Sequence, residues 1–140
     1  MILPIVSELL GAVARHPAVE DAVEALRRGT GETHIGGLAD AAKALVVAHT
    51  AEALLRPVVL LTTTNERAEA LGEATDYFLR ALGRRPAEAT QVLPALDVTP
   101  WDGRLPHGEI REERAATLWR AARGHLSVIV APVGSALLRY

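Results

Sequence analysis

The sequence predicts an α/β domain built on a three-layer parallel sheet with helices on both faces. Three observations lead there. "PVVLLTT" (57–63) and "LSVIVAPV" (126–133) are continuous apolar runs, as expected of strands buried on both faces. Between and before them lie stretches with apolar residues at helical spacing. The resulting alternation of strands and helices favours parallel pairing with crossover helices. Strands are expected near 33–36, 57–63, 90–95 and 126–132.

The first 28 residues read as a leading helical segment in two pieces, broken near "RHPAVED". Leu9, Leu10 and Val13 form one apolar stripe; Val19, Val23 and Leu26 form another. Pro17 suits a first helical turn, where its missing N–H has no partner to lose. "GTGE" breaks the pattern, and "THI" reads as a short strand. Asp40 to Leu55 is apolar nearly all round, which marks a helix packed on a sheet. Asp40 is the expected N-cap, its carboxylate accepting from unpaired N–H groups. After the strand at 57–63, "TTNE" (Thr63 to Glu66) fits a capping box. Leu71, Thr75, Phe78 and Leu82 follow at helical spacing as far as Gly83. "RRPAEATQ" is a loop before the weak strand "VLPAL", and "DVTPWDGRLPHGE" is a turn-rich connection. Glu109 to Arg123 is a charged amphipathic helix with Ile110, Leu118 and Ala122 along one side. The last residues begin another helix.

Composition excludes several classes. The 140 residues suffice for one domain, burying roughly two-thirds of the surface of the unfolded chain. At 49% apolar and 4% aromatic, its core must come from Ala, Leu and Val. With 15 basic and 17 acidic residues the net charge is -2, which argues against a nucleic-acid grip dominated by positive charge. The absence of cysteine excludes disulfides and thiolate metal sites and fits a cytoplasmic location. No apolar run approaches the roughly 20 residues of a membrane span. "MILPIVSELLGAVARH" lacks the basic start of a signal peptide.

One segment resembles a dismantled phosphate-binding loop. Laid over G-x-x-x-x-G-K-[ST], "GLADAAKA" keeps Gly37 and Lys43 but has Ala42 for the second glycine and Ala44 for the hydroxyl. Ala44 cannot ligate magnesium, and Ala42 adds a methyl where backbone must approach phosphate. Asp40 puts a carboxylate where phosphate would sit, at the positive end of a helix. A worn nucleotide site, a working variant and an ordinary strand-to-helix turn all remain open on these residues.

Nothing else forms a catalytic constellation. His16, His34, His49, His107 and His125 lack metal-ligand spacing, and capping suits His107 ahead of its helix. Glu112 and Glu113 are adjacent on a helix and point about 100° apart, so they make no carboxylate pair. Trp101 and Trp119 read as packing residues; base stacking by Trp101 would have only Arg104 beside it. No catalytic, cofactor-binding or metal residues are expected in this chain.

Taken together, "HIGGLADAAKALVVA", "PVVLLTTTNERAEAL", "VLPALDVTPWDGRLPHGEIREERAATL" and "SVIVAPVGSALL" are similar in order and spacing to the amino-terminal module of bacterial transcription-repair coupling factor (Mfd). The third segment is the most specific, with P-x-x-x-x-x-P-[WY]-[DE]-x-x-x-P-H followed by E-R-x-x-x-L. That module itself resembles UvrB, the damage-recognition helicase subunit of nucleotide excision repair. The resemblance covers roughly residues 30 to 140. It implies a P-loop NTPase-like, helicase-type half domain over 29–140, with a degenerate phosphate loop at Gly37, Asp40, Ala42, Lys43 and Ala44. It implies a non-hydrolysing domain that serves to recruit UvrA, whose contacts fall mainly on a domain inserted after "SVIVAPV". The chain is accordingly expected to be a fragment ending before that insertion. ATP and magnesium would belong to a downstream translocase motor, and RNA polymerase and DNA to other domains of the parent. An active nucleotide-binding domain and an unrelated small α/β binding domain are the rival readings.

Overall fold

The computed structural model describes residues 4–29, 32–82, 89–99, 101 and 103–137. The elements run α1 (Pro4–Ala14), α2 (Pro17–Arg28), α3 (Asp40–Leu54), β1 (Val58–Thr62), α4 (Asn65–Ala81), β2 (Thr90–Val92), α5 (Gly108–Ala122), β3 (Val128–Pro132) and α6 (Val133–Ala136). The fold is α/β, as the alternation predicts.

Both long apolar runs become neighbouring strands. β3 lies between β1 and β2, and all pairing is parallel, with Val58 and Thr90 each opposite Val128. Alternation along the strands decides what they touch. Val58, Leu60, Val92, Val128 and Val130 share a core with Ala48, Ala51, Ala68 and Leu79 of α3 and α4. Small residues at these helix positions let α3 and α4 pack on each other while both touch the sheet. Gly72 marks the tightest approach: a Cβ there would lie 3.1 Å from Val92 Cγ2. α1 and α2 pack on α3. Val19 and Val23 are buried, whereas Leu26 of the expected stripe is 43% exposed.

Five expectations need correction. The strand expected at 90–95 spans only Thr90–Val92, so "VLPAL" is strand at its first residue alone and the loop before it gives up Thr90 and Gln91. Residues 33–36 form no strand; Thr33 and His34 are exposed, and this short stretch before two glycines finds no ladder partner among the described residues. The 57–63 strand is not buried on both faces: Val59 and Leu61 of β1 remain 58% and 53% exposed. The N-cap of α3 is Ala39, with no side-chain cap, and Asp40 is the first helical residue. The N-cap of α4 is Thr64, one residue later than expected, its hydroxyl accepting from Arg67 N at 3.3 Å. The end expected at Gly83, most of the "RRPAEATQ" loop, and Pro100 and Asp102 lie outside the described residues.

Candidate functional site

The carboxyl ends of parallel strands are where α/β domains usually bind ligands, because chain connections diverge there. Two sequence-marked segments meet this end of the molecule. The first is the loop before α3. α4 follows β1, so its first turn sits at the carboxyl end of the sheet, and Asp40 at the start of α3 reaches Arg67 in that turn. Gly37 enters α3 with φ 75°, a left-handed conformation that disfavours any Cβ. Gly36 needs no such freedom and has open space around it.

The charged side chains at the start of α3 pair with one another. Asp40 Oδ1 accepts from Lys43 Nζ at 2.8 Å and from Arg67 Nη2 at 2.8 Å. The Lys43 hydrogen bond, with help from the Arg67 charge, holds the Asp40 carboxyl below its ordinary value. Lys43 is therefore held in an ion pair on its own helix. Ala44 is fully buried in the core and Ala42 is half-buried. Of the five loop positions, the structure brings Asp40 and Lys43 together and turns Ala44 away from solvent.

The second segment runs from Pro94 to Leu118 and holds a buried polar cluster. Arg114 of α5 is 4% exposed, and Ser135 and Thr117 are 1% exposed. The Arg114 guanidinium donates from Nη1 to the Pro94 carbonyl and to Ser135 Oγ, the latter at 2.5 Å. Ser135 Oγ also donates to the Pro94 carbonyl at 3.1 Å. Thr117 Oγ1 donates to the Val92 carbonyl at 3.0 Å, which ties α5 to the margin of the sheet at β2. Nearby, Asn65 Oδ1 accepts from Ala95 N at 2.9 Å and Asp97 Oδ1 from His107 N at 3.2 Å. Burial lowers the Arg114 pKa from its ordinary value. The cluster links the chain just after β2 to α5 and α6, and so fixes how the three elements meet.

Sequence reading marked Arg114 only as the arginine of the E-R-x-x-x-L pattern, without its buried role, and missed Thr117. The expected apolar side of α5 is not its buried side: Leu118 is 36% exposed and Ala122 is also exposed, while Arg114 and Thr117 face inward. A usable signal was present, since Arg114 and Thr117 stand three apart and share one helix face.

The histidines do not converge. His16 caps α2, its Nδ1 accepting from Ala18 N at 3.3 Å. His107 occupies the N-cap position of α5 without a side-chain cap bond, contrary to the capping role expected of it. His125 meets Trp119 edge-on with centroids 6.0 Å apart, and Arg123 lies 5.0 Å over the same Trp119 ring. Trp101 is 86% exposed and so does not pack as expected. Among the described residues no group of three or more acidic, histidine or cysteine side chains is placed to hold a metal. Among them, too, no helix is long and apolar enough to cross a membrane. No protein-family model matches the chain, and comparison with curated proteins finds no match.

Proposed function

We propose that this chain is a non-hydrolysing structural and recruitment domain of a transcription-coupled DNA repair factor. The observation that carries the reading is the Asp40–Lys43–Arg67 cluster, in which a carboxylate takes the anion position at the start of α3 and consumes the one lysine of the loop. Phosphate would have to displace a like charge, and the chain offers no hydroxyl at Ala44 to hold magnesium. The repair assignment is supported by the motif between Pro94 and Leu118. Pro94 and Arg114 of that motif bond directly, and His107 is held by Asp97 within it. A motif whose members hold one another in place fits a structural role.

On this reading residues 29–140 form a UvrB-like half domain of P-loop NTPase-like type, preceded by a helical segment over 1–28. The parent protein would be a cytoplasmic, DNA-binding, ATP-dependent translocase with ATP and magnesium in a downstream motor. It would displace RNA polymerase stalled at DNA damage and recruit nucleotide excision repair through UvrA. Deleting the gene from its host and measuring ultraviolet-lesion removal from each DNA strand tests this assignment. Loss of the faster repair of transcribed strands is expected; unchanged strand bias refutes it.

A further inference from the structure

The two edges of the sheet are finished differently. β3 is the inner strand, which leaves β1 and β2 as edges. Leu93 N donates to the Val130 carbonyl at 2.8 Å, which turns the Val92 carbonyl outward, and Thr117 of α5 donates to that carbonyl at 3.0 Å. The β2 edge is thereby covered by α5. At the other edge, Val58 N donates to the Ser127 carbonyl at 2.9 Å. Main-chain groups of successive strand residues turn to opposite sides, so Val58, Leu60 and Thr62 serve β3 while Val59 and Leu61 turn theirs away from it. Among the described residues no strand pairs with that outer side.

The same two residues carry the uncovered side chains. Val59 is 58% and Leu61 53% exposed, and Ile129 of β3, in register with Val59, is half-buried. A row of outward N–H and C=O groups bordered by apolar side chains is completed by another strand, because only a strand meets donors and acceptors in alternation. Natural edges are commonly guarded by charged residues, proline or a bulge. "VVLLTTT" (58–64) carries no charge and no proline, and its register with β3 runs unbroken from Val58 to Thr62.

The two ends of β1 differ in charge. Arg56 precedes the strand and Glu66 follows it; both are exposed, and among the described residues neither is in an ion pair. Glu52, the carboxylate nearest Arg56 in sequence, is buried, and Arg67 beside Glu66 is already taken by Asp40. Antiparallel pairing of two such strands brings each positive end to a negative one, whereas parallel pairing sets like against like. A twofold arrangement is also self-complementary and closes at two copies.

We infer that β1 pairs antiparallel with β1 of a second copy, joining two three-stranded sheets into one continuous sheet. Val59 of each copy stands opposite Leu61 of the other and exchanges both main-chain hydrogen bonds with it. The two Val59–Leu61 pairs lie side by side on the uncovered face, where cross-strand apolar contacts stabilise the pairing. Arg56 of each copy approaches Glu66 of the other. The inference does not depend on the repair assignment.

The test is sedimentation of the purified chain over a range of concentrations, with the fold of each variant checked by circular dichroism. A monomer–dimer equilibrium is expected. Leu61→Lys, at an exposed position, should raise the dissociation constant roughly tenfold or more, because it sets a charge in both cross-strand pairs. Arg56→Glu should raise it roughly threefold, and the swapped variant Arg56→Glu/Glu66→Arg should restore it. Val59→Cys/Leu61→Cys introduces the chain's only thiols at positions whose Cα atoms would lie about 5.5 Å apart across the interface. That is within disulfide reach, so oxidation should yield a covalent dimer. A chain that stays monomeric at every concentration overturns the inference and leaves the edge to a strand of another protein. A dimer indifferent to Leu61→Lys, association that grows beyond two copies, or a swapped variant that restores nothing overturns it too.

Discussion

The loop from Gly36 to Ala44 and the connection from Pro94 to Leu118 contrast in sequence and in structure. The loop matches a phosphate-loop pattern at Gly37 and Lys43, whereas the connection reads as turns joining a weak strand to a helix. In the folded chain the loop's charged groups lie near the surface, with side chains of Asp40, Lys43 and Arg67 56%, 41% and 45% exposed. The connection holds a guanidinium and a hydroxyl, those of Arg114 and Thr117, that are nearly inaccessible to water. Burial decides which polar groups matter to the fold. An exposed ion pair exchanges one good environment for another, whereas a buried donor or acceptor that loses its partner bears the full desolvation penalty.

The contrast fails if the buried cluster proves dispensable, so Arg114 gives its most severe test. Arg114→Ala removes a charged donor from the Pro94 carbonyl and Ser135 and leaves a space in the interface of α5. The expected loss is about 2–4 kcal/mol of unfolding free energy. Urea denaturation measures it. Arg114→Lys should recover only part, since a point charge does not reproduce the forked guanidinium geometry. A loss below about 1 kcal/mol for Arg114→Ala would show that the cluster does not hold α5.

Thr117→Val should cost less, about 1 kcal/mol, because one neutral hydrogen bond to the Val92 carbonyl is removed with little change of volume. The same denaturation experiment checks it. In the double variant with Arg114→Ala, losses that fail to add would show that the two anchors of α5 act as one unit. Additive losses would show two separate attachments.

These anchors were poorly legible in the sequence for a physical reason. β1 and β3 were legible as strands because a continuous β-branched and leucine run has few alternatives, but only β3 is buried as the run suggests, with Val59 and Leu61 of β1 exposed. α3 was legible because a helix apolar all round must be covered. The partners of Arg114 and Thr117, by contrast, include main-chain carbonyls at 94 and 92, and for Arg114 also the Ser135 hydroxyl of α6, and only the folded sheet brings these groups beside α5. Residues 33–36 misled for the complementary reason: a strand exists only with a neighbour, and "THI" has none in this sheet. The phosphate-loop positions were legible as a pattern, but Arg67, 27 residues from Asp40, was not. Its pairing depends on α3 and α4 starting side by side.

Acid should sharpen the contrast from the other side. Asp40 is lowered by Lys43 and Arg67, Glu66 by its own backbone N–H and the Thr64 hydroxyl, and Glu24 by Arg28 and Arg27. A carboxyl whose folded pKa is depressed stabilises the fold above its unfolded value, about 3.9–4.3, and loses that contribution as pH falls through the folded value. Unfolding midpoints should therefore be insensitive to these groups between pH 7 and about 5 and fall below about 4. Asp40→Asn should make the acid limb shallower. An acid limb of unchanged slope in that variant would mean the Asp40 pairs contribute nothing to the folded state.

The smallest expected effect is also the sharpest test of the loop. Asp40→Ala removes the carboxylate that Lys43 and Arg67 share and should lower the unfolding midpoint at pH 7 only slightly, by the same small contribution that the acid limb loses, since exposed pairs are weak. It frees two cations beside the start of α3, the arrangement most favourable to phosphate that this backbone can offer. Magnesium-ATP should nevertheless bind neither chain usefully, because Ala44 is buried and carries no oxygen for the metal. Millimolar binding already requires about 4 kcal/mol, and exposed cations of this kind typically contribute about 0–1 kcal/mol each. Titration calorimetry of both chains with magnesium-ATP distinguishes the possibilities. Heat fitting a micromolar dissociation constant in the parent chain, lost in Lys43→Ala, would refute the non-hydrolysing reading. The same heat only in Asp40→Ala would show that one carboxylate alone closes a site whose other parts survive.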